Sequence, residues 1–175
     1  MKINLPLRIA FPVALAICIA YIFWFKNHNK PLTSNDIVRF EIAGTPAKAQ
    51  VLLDEWVGLG LTDKLLSSIY WDYPFILLYT LTLALGCLWA AGLTGYPTFK
   101  RTASWLVGGV CLAGLSDVVE NLAMTYSIRQ APQAWSTRLA ETTAYLKFGL
   151  LVAGLLFVAI CFVVALLHRA KAKRS

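Results

Sequence analysis

Charged residues are scarce in this chain. Asp, Glu, Lys and Arg together make up 14% of its 175 residues, whereas soluble domains carry about a quarter. Apolar residues make up 58% of the chain, which is more than soluble domains usually contain. These two figures exclude an ordinary water-soluble domain and predict a protein that lies in a lipid bilayer.

Residues that hold metals and redox groups are also few. The two histidines, His28 and His168, are predicted to lie at opposite membrane faces, so neither haem nor histidine-bound zinc is expected. The four cysteines fall one in each predicted span without CxxC spacing. They could meet at one depth as a metal site, although cysteine more often fills space as a small apolar residue. The sequence has no phosphate loop and no dinucleotide fingerprint, so no nucleotide or flavin is expected.

Four apolar runs dominate what is present. They cover residues 9–25, 75–93, 104–124 and 149–167, and each is close to the roughly 20 residues that cross a bilayer as a helix. The first run ends in bulky aromatics rather than a cleavage site, which favours an uncleaved anchor over a signal peptide. The prediction is an all-α, single-domain four-helix transmembrane bundle over residues 1–175. Its outer segment, residues 26–69, forms a small helical extracytoplasmic cap.

The net charge of +7 is explained by membrane topology rather than by nucleic-acid binding. Basic residues precede the first run (Lys2 and Arg8), separate the second from the third (Lys100 and Arg101) and follow the fourth (168–174). Such alternation is typical of cytoplasmic loops. The prediction is a multi-pass inner-membrane protein with both termini in the cytoplasm. Membrane lipids are its expected partners, and a homo-oligomer or larger membrane complex is left open.

The outer segment has two local signals. Thr45 followed by Pro46 predicts the start of a helix that reaches Leu59, with Leu52, Trp56 and Leu59 on one face. Residues 34–44 alternate in polarity like a strand. A lone strand leaves its backbone groups without partners, so a short helix is favoured there.

The third run carries the residues that point to function. Asp117, Glu120 and Asn121 share one helix flank, and a charge at mid-bilayer costs about 2.5–3.5 kcal/mol on insertion scales. Polar groups elsewhere in the sequence are predicted to reach the same level. These are Asp72, Tyr79, Glu41, Glu141 and Tyr145. Together they form the hypothesis of an outward-facing acidic pocket that binds ligand.

Several chemistries suit such a pocket. Carboxylate oxygens at Asp72, Asp117 and Glu120 could hold a divalent cation. The pocket could instead bind a small molecule or a lipid headgroup, or crowded carboxyls could exchange protons. No catalytic residue is identified. The second and third functional hypotheses are a scaffold subunit whose polar residues only join helices, and a protomer of an oligomeric transporter or channel.

Three further interpretations bear on the pocket. Asp72 stands two residues before Pro74 and could be a helix N-cap rather than a ligand. Glu120 and Asn121 could be solvated at the interface, or pair there with Arg129, Arg138 or Lys147. No lysine or arginine lies within a predicted span, which argues against a retinal link or a voltage sensor.

Two short motifs carry a family resemblance: Phe40-Glu41-Ile42-Ala43 and Asp117-Val118-Val119-Glu120-Asn121. They resemble a loosely defined group of small bacterial four-helix inner-membrane proteins that have no assigned activity. The resemblance extends from the outer segment through the third run. It implies a bacterial origin and implies that Glu41 belongs with Asp117 and Glu120.

Overall fold

The computed structural model describes residues 5–172, and within that part of the chain all regular structure is helical. The predicted topological charges at Lys2, Lys173 and Arg174 lie outside the described residues. Six helices follow one another along the chain: α1 (Leu5–His28), α2 (Ser34–Glu41), α3 (Pro46–Gly58), α4 (Thr62–Thr94), α5 (Pro97–Gln130) and α6 (Ala134–Ala172).

Four of these helices, α1, α4, α5 and α6, are long and apolar enough to cross a membrane. Each predicted span lies within one of them, but the helices extend well beyond the apolar runs. Helix α4 begins at Thr62, and Pro74 lies inside it. Asp72 is therefore in the interior of a continuous helix, and the interpretation of Asp72 as an N-cap is wrong.

The long helices form an up-and-down bundle in which α4, α5 and α6 pack against one another and α1 packs mainly against α4. The turn between α4 and α5 is tight because Gly95 ends α4 with a positive φ of 83°, a conformation that glycine adopts without steric cost. Helices α2 and α3 cover one end of the bundle, where α1 and α5 end and α4 and α6 begin. This end is called the cap end below.

Local capping chemistry explains where the cap helices start. Thr33 and Asp36 form a capping box at α2, in which each side chain accepts a hydrogen bond from the other residue's backbone N–H. Thr45 caps α3 and Pro46 occupies its first turn, as the sequence predicts. Residues 34–41 are helical rather than extended, which agrees with the preferred prediction.

The cap packs on an apolar core. The rings of Phe40 and Trp56 meet edge to face with centroids 5.5 Å apart, above the buried side chains of Leu65 and Met124. The predicted apolar face of α3 is correct for Leu52 and Trp56, which are buried. It is wrong for Leu59, which is 64% exposed and follows the last residue of the helix.

A second apolar core lies at the opposite end, where Cys87 and Cys161 pack with Ala90, Ala103 and Phe157. Cys18 is also buried, but Cys111 is exposed. The four cysteines therefore do not meet at one place. Between the two cores lies a layer of polar side chains.

The packed face of α6 differs from the predicted one. The predicted pocket residues Glu141 and Tyr145 are four residues apart on α6, but Glu141 is only half-buried and Tyr145 is exposed. The buried residues at this level are instead Ala140, Ala144, Lys147 and Gly154. Successive residues on a helix are about 100° apart, so the shift of one residue from Glu141 and Tyr145 to Ala140 and Ala144 changes which side chains enter the bundle.

Candidate functional site

A lysine lies at the centre of the polar layer. Nζ of Lys147 is 2.9 Å from Oε1 of Glu120 and 3.0 Å from Oδ1 of Asp117. It also lies 3.5 Å from Oε2 of Glu41. All four residues are at most 8% exposed. We call Glu41, Asp117, Glu120 and Lys147 the ionic cluster.

Three separate helices build this cluster. Asp117 and Glu120 stand one turn apart on α5, so both carboxylates face the same way. Lys147 projects from the packed face of α6, and Glu41 is the last residue of α2. The sequence prediction that Glu41 lies with Asp117 and Glu120 thus agrees with the geometry.

Neutral hydrogen-bonding groups extend the cluster towards α4. The hydroxyl of Tyr79 donates to Oδ2 of Asp117 at 2.7 Å, so both oxygens of Asp117 have donors. Nδ2 of Asn121 donates to Oδ2 of Asp72 at 2.8 Å. Helices α4 and α5 are therefore joined by two side-chain hydrogen bonds at this level.

The ionic cluster contains three carboxyls and one ammonium, so full ionisation would leave an excess of negative charge in a buried place. Oε2 of Glu41 and Oε2 of Glu120 have no hydrogen-bond donor. The Glu41 side chain lies within hydrogen-bonding reach of Glu120. Burial raises the pKa of Glu41, because a low-dielectric environment disfavours the carboxylate.

No family model matches this chain, and no curated protein or solved structure matches it significantly. Its function must be inferred from its own geometry.

A cavity of about 650 Å³, partly open to the outside of the bundle, lies beside the cluster between α1, α2, α4, α5 and α6. Its cap end is polar and is lined by Glu41, Asp72, Asp117, Asn121 and Lys147. Its other end is apolar and is lined by Phe11, Leu15, Leu83, Leu155 and Val158. One continuous space therefore joins an ionisable end to a hydrocarbon-like end.

The geometry does not favour the predicted divalent cation. Among the described residues, no group of three His, Cys, Asp or Glu side chains is arranged to hold a metal ion. Asp117 and Glu120 instead bind the ammonium of Lys147, while Asp72 accepts from Asn121. The ammonium of Lys147 thus lies where the sequence suggested a bound metal ion.

Two predicted pocket residues lie elsewhere. Tyr145 is 60% exposed and lies off the packed face of α6. The carboxylate of Glu141 packs against Gly44, so close that a Cβ on Gly44 would lie 2.6 Å from both carboxylate oxygens. Glu141 therefore contacts the loop between α2 and α3 and is not among the residues that line the cavity.

Sequence reasoning missed two residues of the site. Lys147 was considered only as an interfacial partner because it precedes the apolar run at 149–167. Its signal is that Ala140, Ala144 and Lys147 follow one another at spacings of four and three residues, and both alanines are small and buried. Asn29 lines the cavity and is 9% exposed. It follows the last residue of α1, and no sequence pattern distinguishes it from neighbouring polar residues.

Proposed function

We propose that this chain is a multi-pass membrane protein that binds an amphipathic molecule. The polar head of that molecule lies against the ionic cluster and Asp72, and its hydrocarbon part lies in the apolar end of the cavity. The cap end faces the extracytoplasmic side. This proposal develops the predicted acidic pocket and takes up its small-molecule or lipid-headgroup alternative in place of the divalent cation.

The outer surface of the bundle supports a location in lipid. Large apolar side chains point outward along the long helices, for example Phe23 at 67%, Leu77 at 73% and Trp105 at 76% exposure. Exposed apolar area on this scale is unusual for a water-soluble monomer. The orientation follows from Lys100 and Arg101, which lie at the end opposite the cap and are expected in the cytoplasm.

The observation that carries the proposal is the two-ended cavity. Ligand sites are mostly apolar concave spaces with a few polar groups that fix orientation. Here the polar groups are confined to one end, near the expected membrane interface, and the opposite end is bounded by side chains of α1, α4 and α6. A molecule with one polar and one apolar end matches that distribution.

One observation favours the scaffold hypothesis. The contacts of Lys147 with Glu41, Asp117 and Glu120 join α2, α5 and α6, and polar contacts of this kind stabilise helix association in membranes. The scaffold hypothesis requires these contacts but leaves the cavity without a role. Blocking the cavity without touching the cluster therefore separates the two.

Two neighbouring residues of α6 provide the test. Leu151 lines the cavity, whereas Val152 is 53% exposed on another face of the helix. We expect Leu151→Trp to reduce the amount of lipid that co-purifies in mild detergent, measured by native mass spectrometry. Val152→Trp should leave it unchanged, although it introduces the same large side chain at the next residue.

Two results would contradict the proposal. One is wild-type protein that carries no bound amphiphile and gains no thermal stability from any added lipid. The other is equal lipid retention in Leu151→Trp and wild type, provided that both unfold at the same temperature. Either result would favour the scaffold hypothesis.

A further inference from the structure

The polar end of the cavity presents hydrogen-bond acceptors that have no donor. Oδ1 of Asn29 is buried without a hydrogen-bond partner, and Oε2 of Glu41 is buried without a hydrogen bond and has only the ammonium of Lys147 at 3.5 Å. Both residues line the cavity and are at most 9% exposed. Asp72 also lines it, and its one donor, Asn121, bonds to a single carboxylate oxygen. Unsatisfied buried acceptors cost about 1–3 kcal/mol each, so a bound group that supplies donors would remove this cost.

The donors that surround these acceptors are already engaged. Lys147 donates to Asp117 and Glu120, and the Tyr79 hydroxyl donates to Asp117. The Thr33 hydroxyl donates to Asp36 and the Ser68 hydroxyl to the carbonyl of Leu65. The protein therefore leaves the open acceptors to be satisfied from the cavity.

The charge balance at this end indicates the sign of the missing group. Four carboxyls, those of Glu41, Asp72, Asp117 and Glu120, stand against the single ammonium of Lys147. The other lysines that line the cavity, Lys26 and Lys30, are exposed, so solvent screens their charges. An anionic head would meet carboxylates and unpaired acceptors, whereas a cationic donor would meet complementary groups.

We propose that the polar end binds a primary ammonium group, so that the ligand is a long-chain amine or a lipid with a primary amine in its head. The ammonium donates to Asn29, Glu41 and Asp72, and its three N–H groups equal these acceptors in number. This inference rests on the amphiphile site proposed above and adds the identity of the head.

Three probes with the same chain separate charge from hydrogen bonding. Hexadecylamine has charge and N–H donors, hexadecyltrimethylammonium has charge without donors, and hexadecanoate has the opposite charge. Binding is measured as the rise of the thermal unfolding temperature with probe concentration, because a ligand that binds only the folded protein stabilises it. The full chain is held in phosphatidylcholine nanodiscs, whose headgroups have no N–H donors. We expect the amine to bind at least about tenfold more tightly than either other probe, since charge-assisted hydrogen bonds are the strong class.

Asp72→Asn tests the site directly, because asparagine can still accept from Asn121 but has no charge. This substitution should remove most of the preference for hexadecylamine without weakening the binding of hexadecanoate. The matched control is Glu55→Gln, which neutralises an exposed carboxyl on α3 and should change none of the three affinities.

Each other outcome has a definite meaning. Equal binding of the amine and trimethylammonium probes would overturn the hydrogen-bonding role of the open acceptors. Equal or tighter binding of hexadecanoate would overturn the cationic head and leave the amphiphile site standing. If none of the probes bound saturably, the amphiphile site itself would be overturned.

Discussion

Nζ of Lys147 lies 2.9 Å from Oε1 of Glu120, and the side chain of Glu120 is fully buried. The pair joins α6 to α5 between the two apolar cores. A lysine can be accommodated here because Asp117 and Glu41 share the same ammonium. Because the four groups interact, replacing any one of them changes the electrostatic environment of the others. The contribution of the cluster to stability can therefore be measured by substitution.

Removing the Lys147 ammonium is expected to destabilise the protein strongly. Lys147→Met leaves three buried carboxyls without a cation, and breaking a buried ion pair typically costs about 3–5 kcal/mol. The free energy of unfolding in mixed micelles measures the loss. The control is Lys100→Met, at an exposed lysine in the first turn of α5, which should change little.

A rescue experiment checks the electrostatic cause. Adding Glu41→Gln, Asp117→Asn and Glu120→Gln to Lys147→Met removes the stranded charges and should recover much of the lost stability. If the single variant were no less stable than Lys100→Met, the cluster would not be the stabilising element described here.

The hydroxyl of Tyr79 should be coupled to Asp117. Tyr79→Phe leaves Oδ2 of Asp117 without its donor, at a cost of about 1–3 kcal/mol. In an Asp117→Asn background the same change should cost less, because that carboxylate is gone. A double-mutant cycle measures the difference. Tyr145→Phe, at an exposed tyrosine of α6, is the control, and a coupling energy near zero for Tyr79 and Asp117 would contradict the prediction.

Gly44 should tolerate no side chain. Its φ is +67°, and a Cβ would lie 2.6 Å from the Glu141 carboxylate. We expect Gly44→Ala to destabilise the protein by about 1–2 kcal/mol from the backbone conformation alone, with an added penalty from Glu141. Thermal unfolding measures the sum of the two costs. Adding Glu141→Ala to Gly44→Ala should remove only the penalty from the contact with Glu141.

Gly58 is the matched control for Gly44. It is the last residue of α3, and a Cβ there would meet no atom within 4 Å. Gly58→Ala should therefore be neutral or slightly stabilising. Equal effects of the two substitutions would show that neither the positive φ nor the contact with Glu141 matters.

The docking of α2 should respond to pH through Glu41. Burial raises the pKa of Glu41 above its ordinary value of 4.5, so folding favours the protonated form. Its contribution to stability is complete below that ordinary value and is lost as the pH rises through the raised pKa. Amide exchange protection in α2, corrected for intrinsic rates, should therefore be greater at mildly acidic pH than at alkaline pH.

The stability contribution of Asp36 depends on pH with the opposite sign, and it can be separated from that of Glu41. Hydrogen bonds from Thr33 hold the pKa of Asp36 below its ordinary 3.8, so its contribution is lost only as the pH falls below that range. Measurements above that range isolate Glu41. In Glu41→Gln the protection of α2 should no longer change with pH, and an unchanged pH dependence would assign the effect to another group.

The topology can be tested by labelling single cysteines in a chain whose four native cysteines are replaced by alanine. Cysteines at Ser34 and Gln133 should react from the periplasmic side, because both positions are exposed at the cap end. A cysteine at Ser175 should react only after permeabilisation, as the basic clusters predict. Reversed accessibility at any of the three would contradict the orientation.

Much of the fold could be predicted from local sequence. Long apolar runs predicted the four long helices, and Thr45 with Pro46 predicted the start of α3, because these signals act within a few residues. The start of α4 could not be predicted in this way. Polar residues such as Asp72 continue a helix whenever its other faces are packed, so hydropathy alone placed this boundary too close to the apolar run.

The candidate site was predicted in part. Asp117 and Glu120 were identified because carboxylates within an apolar run are costly, and that cost depends on sequence alone. Their partner was missed, because entry of Lys147 into the bundle depends on how α6 is rotated. The sequence by itself determined that this chain has four apolar helices and a costly acidic pair. Only the tertiary structure decided that Lys147 and Glu41 meet that pair beside a two-ended cavity. Successive residues of a helix are about 100° apart, and the rotation of α6 about its axis, which decides which of them face inward, is fixed by packing between distant segments rather than by local pattern.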